Sequence, residues 1–212
     1  ISADGRTAQL NDPEVVEALE FAYSLLEKPG GYAPFKAFRD TWDFFGGENQ
    51  IVANQIGMWP MEQWYMNFLA GVSPDAPVAF KAFQDREGEP LSYATGSAWA
   101  IPNGTSNPDA ACIFMKTVTS PEAWTRAAQT RADMRAEEGA INTGVYTGNI
   151  IADEIIFSEI VEPSGNETFD NGVQEILLLQ ENSFGIAPNP AGAEFKQAWM
   201  DAVNRVINGE QT

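Results

Sequence analysis

Residues 55–71 read QIGMWPMEQWYMNFLAG, and the way this run is divided decides the fold. The first six residues, QIGMWP, predict a short strand with Met58 buried in it. The following MEQWYMNFLAG predicts a helix. A strand that passes directly into a helix is the building unit of α/β domains. The same run poses a chemical question, because positions 57–64 pack two tryptophans, two methionines, a proline and Glu62 together. An unpaired carboxylate buried between indoles is strongly destabilising. Glu62 therefore predicts a surface that something polar meets.

Upstream, LNDPEVVEALEFAYSLLEKPGG predicts an amphipathic helix. Asn11 or Asp12 supplies the N-cap, Pro13 opens the first turn, and Glu14 sits at the positive end of the dipole. Val15, Val16, Leu19, Ala22, Tyr23 and Leu26 form its apolar stripe, and Pro29-Gly30-Gly31 ends it. YAPFKAFRDTWDFFGGENQ predicts a short helix and a loop. Downstream, PVAFKAF alternates as a strand, DREGEP predicts a turn, and YATGSAWAIPNGTSN predicts a strand leading into a loop. Residues 107–131 predict two helices, introduced by Asn107-Pro108 and Ser120-Pro121. GNIIADEIIFSEIVEP predicts a helix ending at Pro163, VQEILLLQEN fits a helix or a buried strand, and AGAEFKQAWMDAVNRVING predicts a terminal helix with Phe195, Trp199, Val203 and Val206 on its stripe. Trp124 and Trp199 lie on such stripes and are expected in the core. Short strands alternating with longer helices give an α/β class.

Composition narrows the chemistry. The 212 residues include 44% apolar side chains, enough for one large domain or two small ones. Lys and Arg number 12 against 30 Asp and Glu, a formal charge of −18, which argues against nucleic acid or an anionic membrane as partner. A neutral or cationic ligand fits better. Histidine is absent, so no Ser-His, Cys-His or His-ligated metal site exists, and the chain calls for no cofactor. The lone Cys112 sits on an apolar helix face and reads as an inert thiol. No run approaches the ~20 apolar residues of a membrane span. The first residue is Ile1, which predicts a removed leader or a piece of a longer chain.

The order of the motifs adds a resemblance. D-G-R-T-A-Q-L-N-D-P-E-V-V-E-A-L from Asp4 to Leu19 comes first, and then Gly57-Met58 with Trp64 six residues after the methionine. G-S-A-W-A-I-P at 96–102 and T-S-N-P-D-A-A at 105–111 follow. In this order they resemble the extracellular solute-binding proteins of ABC importers, in the sugar-binding branch that includes the maltose-binding proteins. The similarity runs along essentially the whole chain, to the final A-V-N-R-V-I-N-G-E-Q-T. It implies a type II periplasmic-binding-protein-like α/β fold in which two lobes close on a ligand. This chain would be mostly the C-terminal lobe, 1–98 and 148–212, with 99–147 an excursion completing part of the N-terminal lobe. It further implies a carbohydrate ligand, permease subunits in the membrane as partners, and an extracellular or periplasmic location, lipid-anchored in the full-length protein.

A sugar ring has an apolar C–H face and a fringe of hydroxyls, so its site needs an exposed aromatic plane beside hydrogen-bonding carboxylates or amides. By the resemblance, Trp64 stacks on the sugar; alternatively it packs under the helix it begins. Trp59, on the opposite side of the predicted strand from Met58, reaches the cleft. Glu62 either holds ring hydroxyls or faces the helix dipole, and Gln63 beside it is a weaker candidate. Gly96 and Ser97 bring backbone close to the ligand, or form a simple bulge or bend. Trp42 and Asp43 make a second aromatic-plus-carboxylate pair. Trp99 reads better as core. The competing readings are a glycoside hydrolase using Glu62 and Asp43 as its acid/base pair and a non-catalytic interaction domain.

Overall fold

The computed structural model describes residues 1–180, 182–185 and 187–210. The end of the VQEILLLQEN segment and the last two residues of the terminal motif thus fall in part outside the described residues. The chain divides into two compact units, Ile1–Trp42 with Gly185–Thr212, and Asp43–Phe184.

The first unit is helical. α1, Pro13–Glu27, starts at Asp12 with Pro13 in its first turn, and α2, Tyr32–Arg39, packs on it. α8, Gly192–Ile207, is the terminal helix. α1 and α8 are amphipathic as predicted and α2 is the predicted short helix, yet none of the three fully buries a side chain. Trp199 is 43% exposed and is not a core residue. The stripe is real but only half-covered, with Phe195, Val203 and Val206 half-buried.

The second unit holds the core. α3, Trp64–Val72, buries Tyr65, Met66, Leu69 and Ala70 against α7, Glu167–Gln180, which contributes Phe169, Val173 and Ile176. Phe169 is 0% exposed and its ring lies 5.5 Å from that of Phe80. Gly172 makes this close approach possible, since a Cβ there would come within 2.5 Å of Met66 Sδ and 2.7 Å of the Phe80 ring. The ambiguous 173–182 segment is therefore helical as far as Gln180. Between these helices lie α4, Pro108–Val118, α5, Pro121–Glu137, and α6, Ile150–Ile155, which runs on into a π-helical turn at Ile156–Ile160. Both predicted Pro starts are observed. Ser120 Oγ accepts a hydrogen bond from the Ala123 amide as a true cap, and Asn107 makes no side-chain cap bond.

The strands are where the sequence reading is corrected. Among the described residues the sheet is one parallel pair, β1, Ser92–Tyr93, with β2, Ser183–Phe184, in the register Ser92 to Ser183 and Tyr93 to Phe184. The fold is thus a mainly helical α/β mixture with a very small sheet. Residues 55–60 form no strand, and Met58, expected to be buried, is 85% exposed. Gly57 and Pro60 explain it, one loosening the backbone and the other removing a ladder donor, with no strand paired to this segment among the described residues. PVAFKAF also joins no ladder. It is held instead by Glu175 of α7, which accepts from the Ala82 amide at 2.8 Å and Lys81 Nζ at 3.0 Å. Those two donors, the amide first, hold the Glu175 carboxyl below its ordinary value. The predicted turn does form: Gly88, at φ 90°, donates to the Asp85 carbonyl, and Gln84 and Pro90 make an isolated antiparallel bridge. Trp99, expected in the core, is 57% exposed and meets Phe114 edge-on at 5.6 Å. Trp124 is half-buried.

Candidate functional site

Trp64 is the first residue of α3, and its position follows from the turn before it. The Tyr65 amide donates to the Glu62 carbonyl and the Met66 amide to the Gln63 carbonyl, so Glu62 and Gln63 form the entry to the helix. Helical periodicity then sends Tyr65, Met66 and Leu69 inward and leaves Trp64 at the rim, 39% exposed.

The indole belongs to a cluster of six aromatic rings. Phe44 lies 5.1 Å from Trp59, 5.3 Å from Tyr65 and 6.4 Å from Trp64. Trp59 meets Tyr65 edge-on at 5.0 Å, and Phe45 lies 5.4 Å from Phe68. Phe45 stacks on Trp64 at 6.2 Å with 27° between the planes. Edge-to-face pairs of this kind contribute ~0.5–1.5 kcal/mol each beyond their burial. Tyr65 Oη donates to the Phe44 carbonyl at 2.8 Å, fixing the incoming loop to α3. Trp59 is thus the half-buried tryptophan of the cluster, while Phe45 and Trp64 are its exposed members; Met58 beside Trp59 in the chain is exposed. Relative to the strand expectation, the inward and outward roles of Met58 and Trp59 are exchanged.

Polar groups surround this rim. Asp43 is exposed and its carboxylate lies against Gly46, whose amide donates to the Asp43 carbonyl. Burial first, and the Asp43 carboxylate second, push the Tyr65 phenol above its ordinary value, so Asp43 is electrostatically close to the cluster. Glu62 is exposed, and its carboxylate has no hydrogen-bond or ion-pair partner among the described residues. Gln63 is half-buried. Trp42, the last residue of the first unit's opening segment, is half-buried and meets Phe38 edge-on at 5.8 Å. Gly96 and Ser97 lie on an exposed irregular segment, and nothing stands within 4 Å of where a Cβ on Gly96 would be. The structure therefore puts Trp59 and Trp64 in one aromatic cluster with Asp43 close to Tyr65, and Glu62 and Gln63 in the turn that enters α3, while no contact ties Gly96 or Ser97 to it.

Sequence reasoning missed Phe44, Phe45, Tyr65 and Asn49. Asn49 is 0% exposed; its Nδ2 donates to the Gly46 carbonyl, and its Oδ1 accepts from the amides of Ile51 and Val52. One side chain thereby fixes the loop that presents Phe44 and Phe45. The signal was the DFFGGEN run itself, an Asn three residues after Gly46 in a loop with few other means of satisfying its backbone.

Chemically the arrangement offers an apolar plane with free carboxylates at its edge. Among the described residues no group of three or more potential metal ligands occurs, and no helix is long and apolar enough to cross a membrane. The chain matches no protein-family model, no curated protein and no solved structure.

Proposed function

We propose that the chain is part of an extracellular solute-binding subunit of an ABC importer and that it captures a sugar or oligosaccharide for delivery to a membrane permease. The observation that carries the reading is the half-exposed Trp64 at the rim of the aromatic cluster, with the unpartnered Glu62 carboxylate two residues away and Asp43 near by. A ring that shows C–H groups on one face and hydroxyls at its edge matches that combination. The order of the four sequence motifs supports it independently. On this reading the ligand lies between a type II periplasmic-binding-protein-like lobe formed by 1–98 with 148–212 and a second lobe to which 99–147 belongs. The protein acts by binding and not by catalysis.

Titration with a panel of neutral oligosaccharides, followed by tryptophan fluorescence and calorimetry, tests the proposal. Saturable binding is expected, weakened by up to about tenfold in Trp64→Ala, in line with an aromatic contact of ~0.5–1.5 kcal/mol. Affinity is expected to vary little with salt, because a neutral ligand has no charge to screen. Release of reducing sugar from any panel member would favour the hydrolase. A Trp64→Ala protein that binds as well as the parent would remove Trp64 from the site.

A further inference from the structure

α5 carries three of the chain's twelve cationic side chains, Arg126, Arg131 and Arg135, although the formal charge of the whole is −18. An α-helix turns about 100° per residue, so Ala123, Ala127, Thr130 and Met134 fall on one stripe, with Arg126 on one flank and Arg131 and Arg135 on the other. These side chains line an open groove of about 800 Å³, together with Thr117 and Ser120. The stripe runs along it, with arginines on either side.

The arginines are not neutralised. None of the three forms an ion pair among the described residues, unlike Lys36, Arg39 and Lys81. Arg135 Nη2 donates to the Asn67 carbonyl at 3.4 Å, a neutral acceptor. Arg131 Nε is buried without a hydrogen-bond partner. Burial and then the neighbouring Arg135 charge push the Arg131 guanidinium below its ordinary value, so the two cations repel each other. Glu122 and Glu138 also line the groove, so three positive charges face two negative ones there. Two adjacent like charges facing an open groove are relieved by an anion with several oxygens.

We infer that the groove along α5 binds a small oxyanion, a carboxylate or phosphate, held between Arg126 on one rim and Arg131 with Arg135 on the other. The guanidinium fork matches planar carboxylate and phosphate edges in a way an ammonium does not, which fits the exclusive use of arginine at these three positions. The inference is independent of the sugar site, because none of its residues belongs to the aromatic cluster.

Calorimetric titration of the whole chain at low ionic strength tests it, with inorganic phosphate in one arm, citrate in a second and a hexaglutamate peptide in a third. Saturable binding of phosphate or citrate is expected, and the arm that saturates identifies the anion class. Arg131→Gln and Arg126→Gln should each weaken it about tenfold or more, as loss of a charge-assisted contact does, and Trp64→Ala should leave it unchanged. Circular dichroism verifies that each variant is folded; if Arg131→Gln unfolds, Arg126→Gln, which has no described partner to lose, decides the question. Failure of both small anions to bind, equal affinity in folded Arg126→Gln, or binding of the peptide alone would overturn the inference.

Discussion

α7 and α8 are similar in length and both amphipathic, but only α7 is packed. α7 buries Phe169, Gly172, Val173 and Ile176, while α8 buries nothing among the described residues, although Phe195, Trp199, Val203 and Val206 form as regular a stripe. The difference lies in the partner. Gly172 lets Met66 and Phe80 come against the α7 backbone, so the apolar face meets a matching surface. The α8 stripe is covered only in part: Phe195, Val203 and Val206 are half-buried, and Trp199 is 43% exposed. Periodicity therefore reports which face of a helix is apolar, and only a complementary neighbour turns that face into core.

The contrast is sharpest at the large side chains. Phe169→Ala should cost about 3–5 kcal/mol in denaturant unfolding, because the ring is wholly enclosed and its removal leaves a cavity. A loss within about 0.5 kcal/mol, the range of surface sites, would put α7 in the same class as α8. Gly172→Ala should cost less, about 1–3 kcal/mol, since the new methyl must displace Met66 Sδ or the Phe80 ring. A neutral or stabilising result would mean that the seam can relax.

Alkaline pH tests the same core at a third point. Tyr146 donates from Oη to the Ile176 carbonyl at 3.1 Å, and burial, with the Asp153 carboxylate second, pushes its phenol up to about 12. Its folded value lies above the unfolded one, near 10, so its contribution to stability is complete below pH 10. That contribution is lost as the pH rises toward 12. Tyr146→Phe should flatten this part of the stability profile, and an unchanged slope would show that Tyr146 ionises as freely in the folded state. The smallest effect is expected at Trp199→Ala, within about 0.5 kcal/mol, as at other exposed sites. A large loss there would show that α8 is packed after all.

Helix starts were legible because their chemistry is local. Pro13, Pro108 and Pro121 each stand at the beginning of the helix they predict, and Ser120 caps as its residue type suggests. Strands were not legible, because a strand is defined by a neighbour the sequence does not reveal. PVAFKAF alternates well, but Glu175, far along the chain, takes up the Ala82 amide instead of a ladder. The site was half legible. Trp64, Trp59, Glu62, Gln63 and Asp43 were singled out for their chemistry and do gather. Phe44 and Phe45 were passed over, since nothing local shows that Asn49 would fold their loop onto α3. Trp199 and Trp99 misled for the opposite reason, because a large apolar ring on a regular pattern says nothing about what covers it.

The two-residue parallel ladder has a consequence for the order of folding. Ser92 and Ser183 are about ninety residues apart in the chain, and bringing such ends together from a flexible state costs about 4 kcal/mol in closure entropy alone, from (3/2)RT ln n. A handful of backbone hydrogen bonds, each contributing about 1 kcal/mol net, offsets little more than that. The ladder should therefore close late, once α3 and α7 have joined and shortened the remaining loop. In pulse-labelled hydrogen exchange, the Ala94 amide, which donates to Phe184, should gain protection after the amides of α7. Simultaneous protection would place the ladder in the folding nucleus.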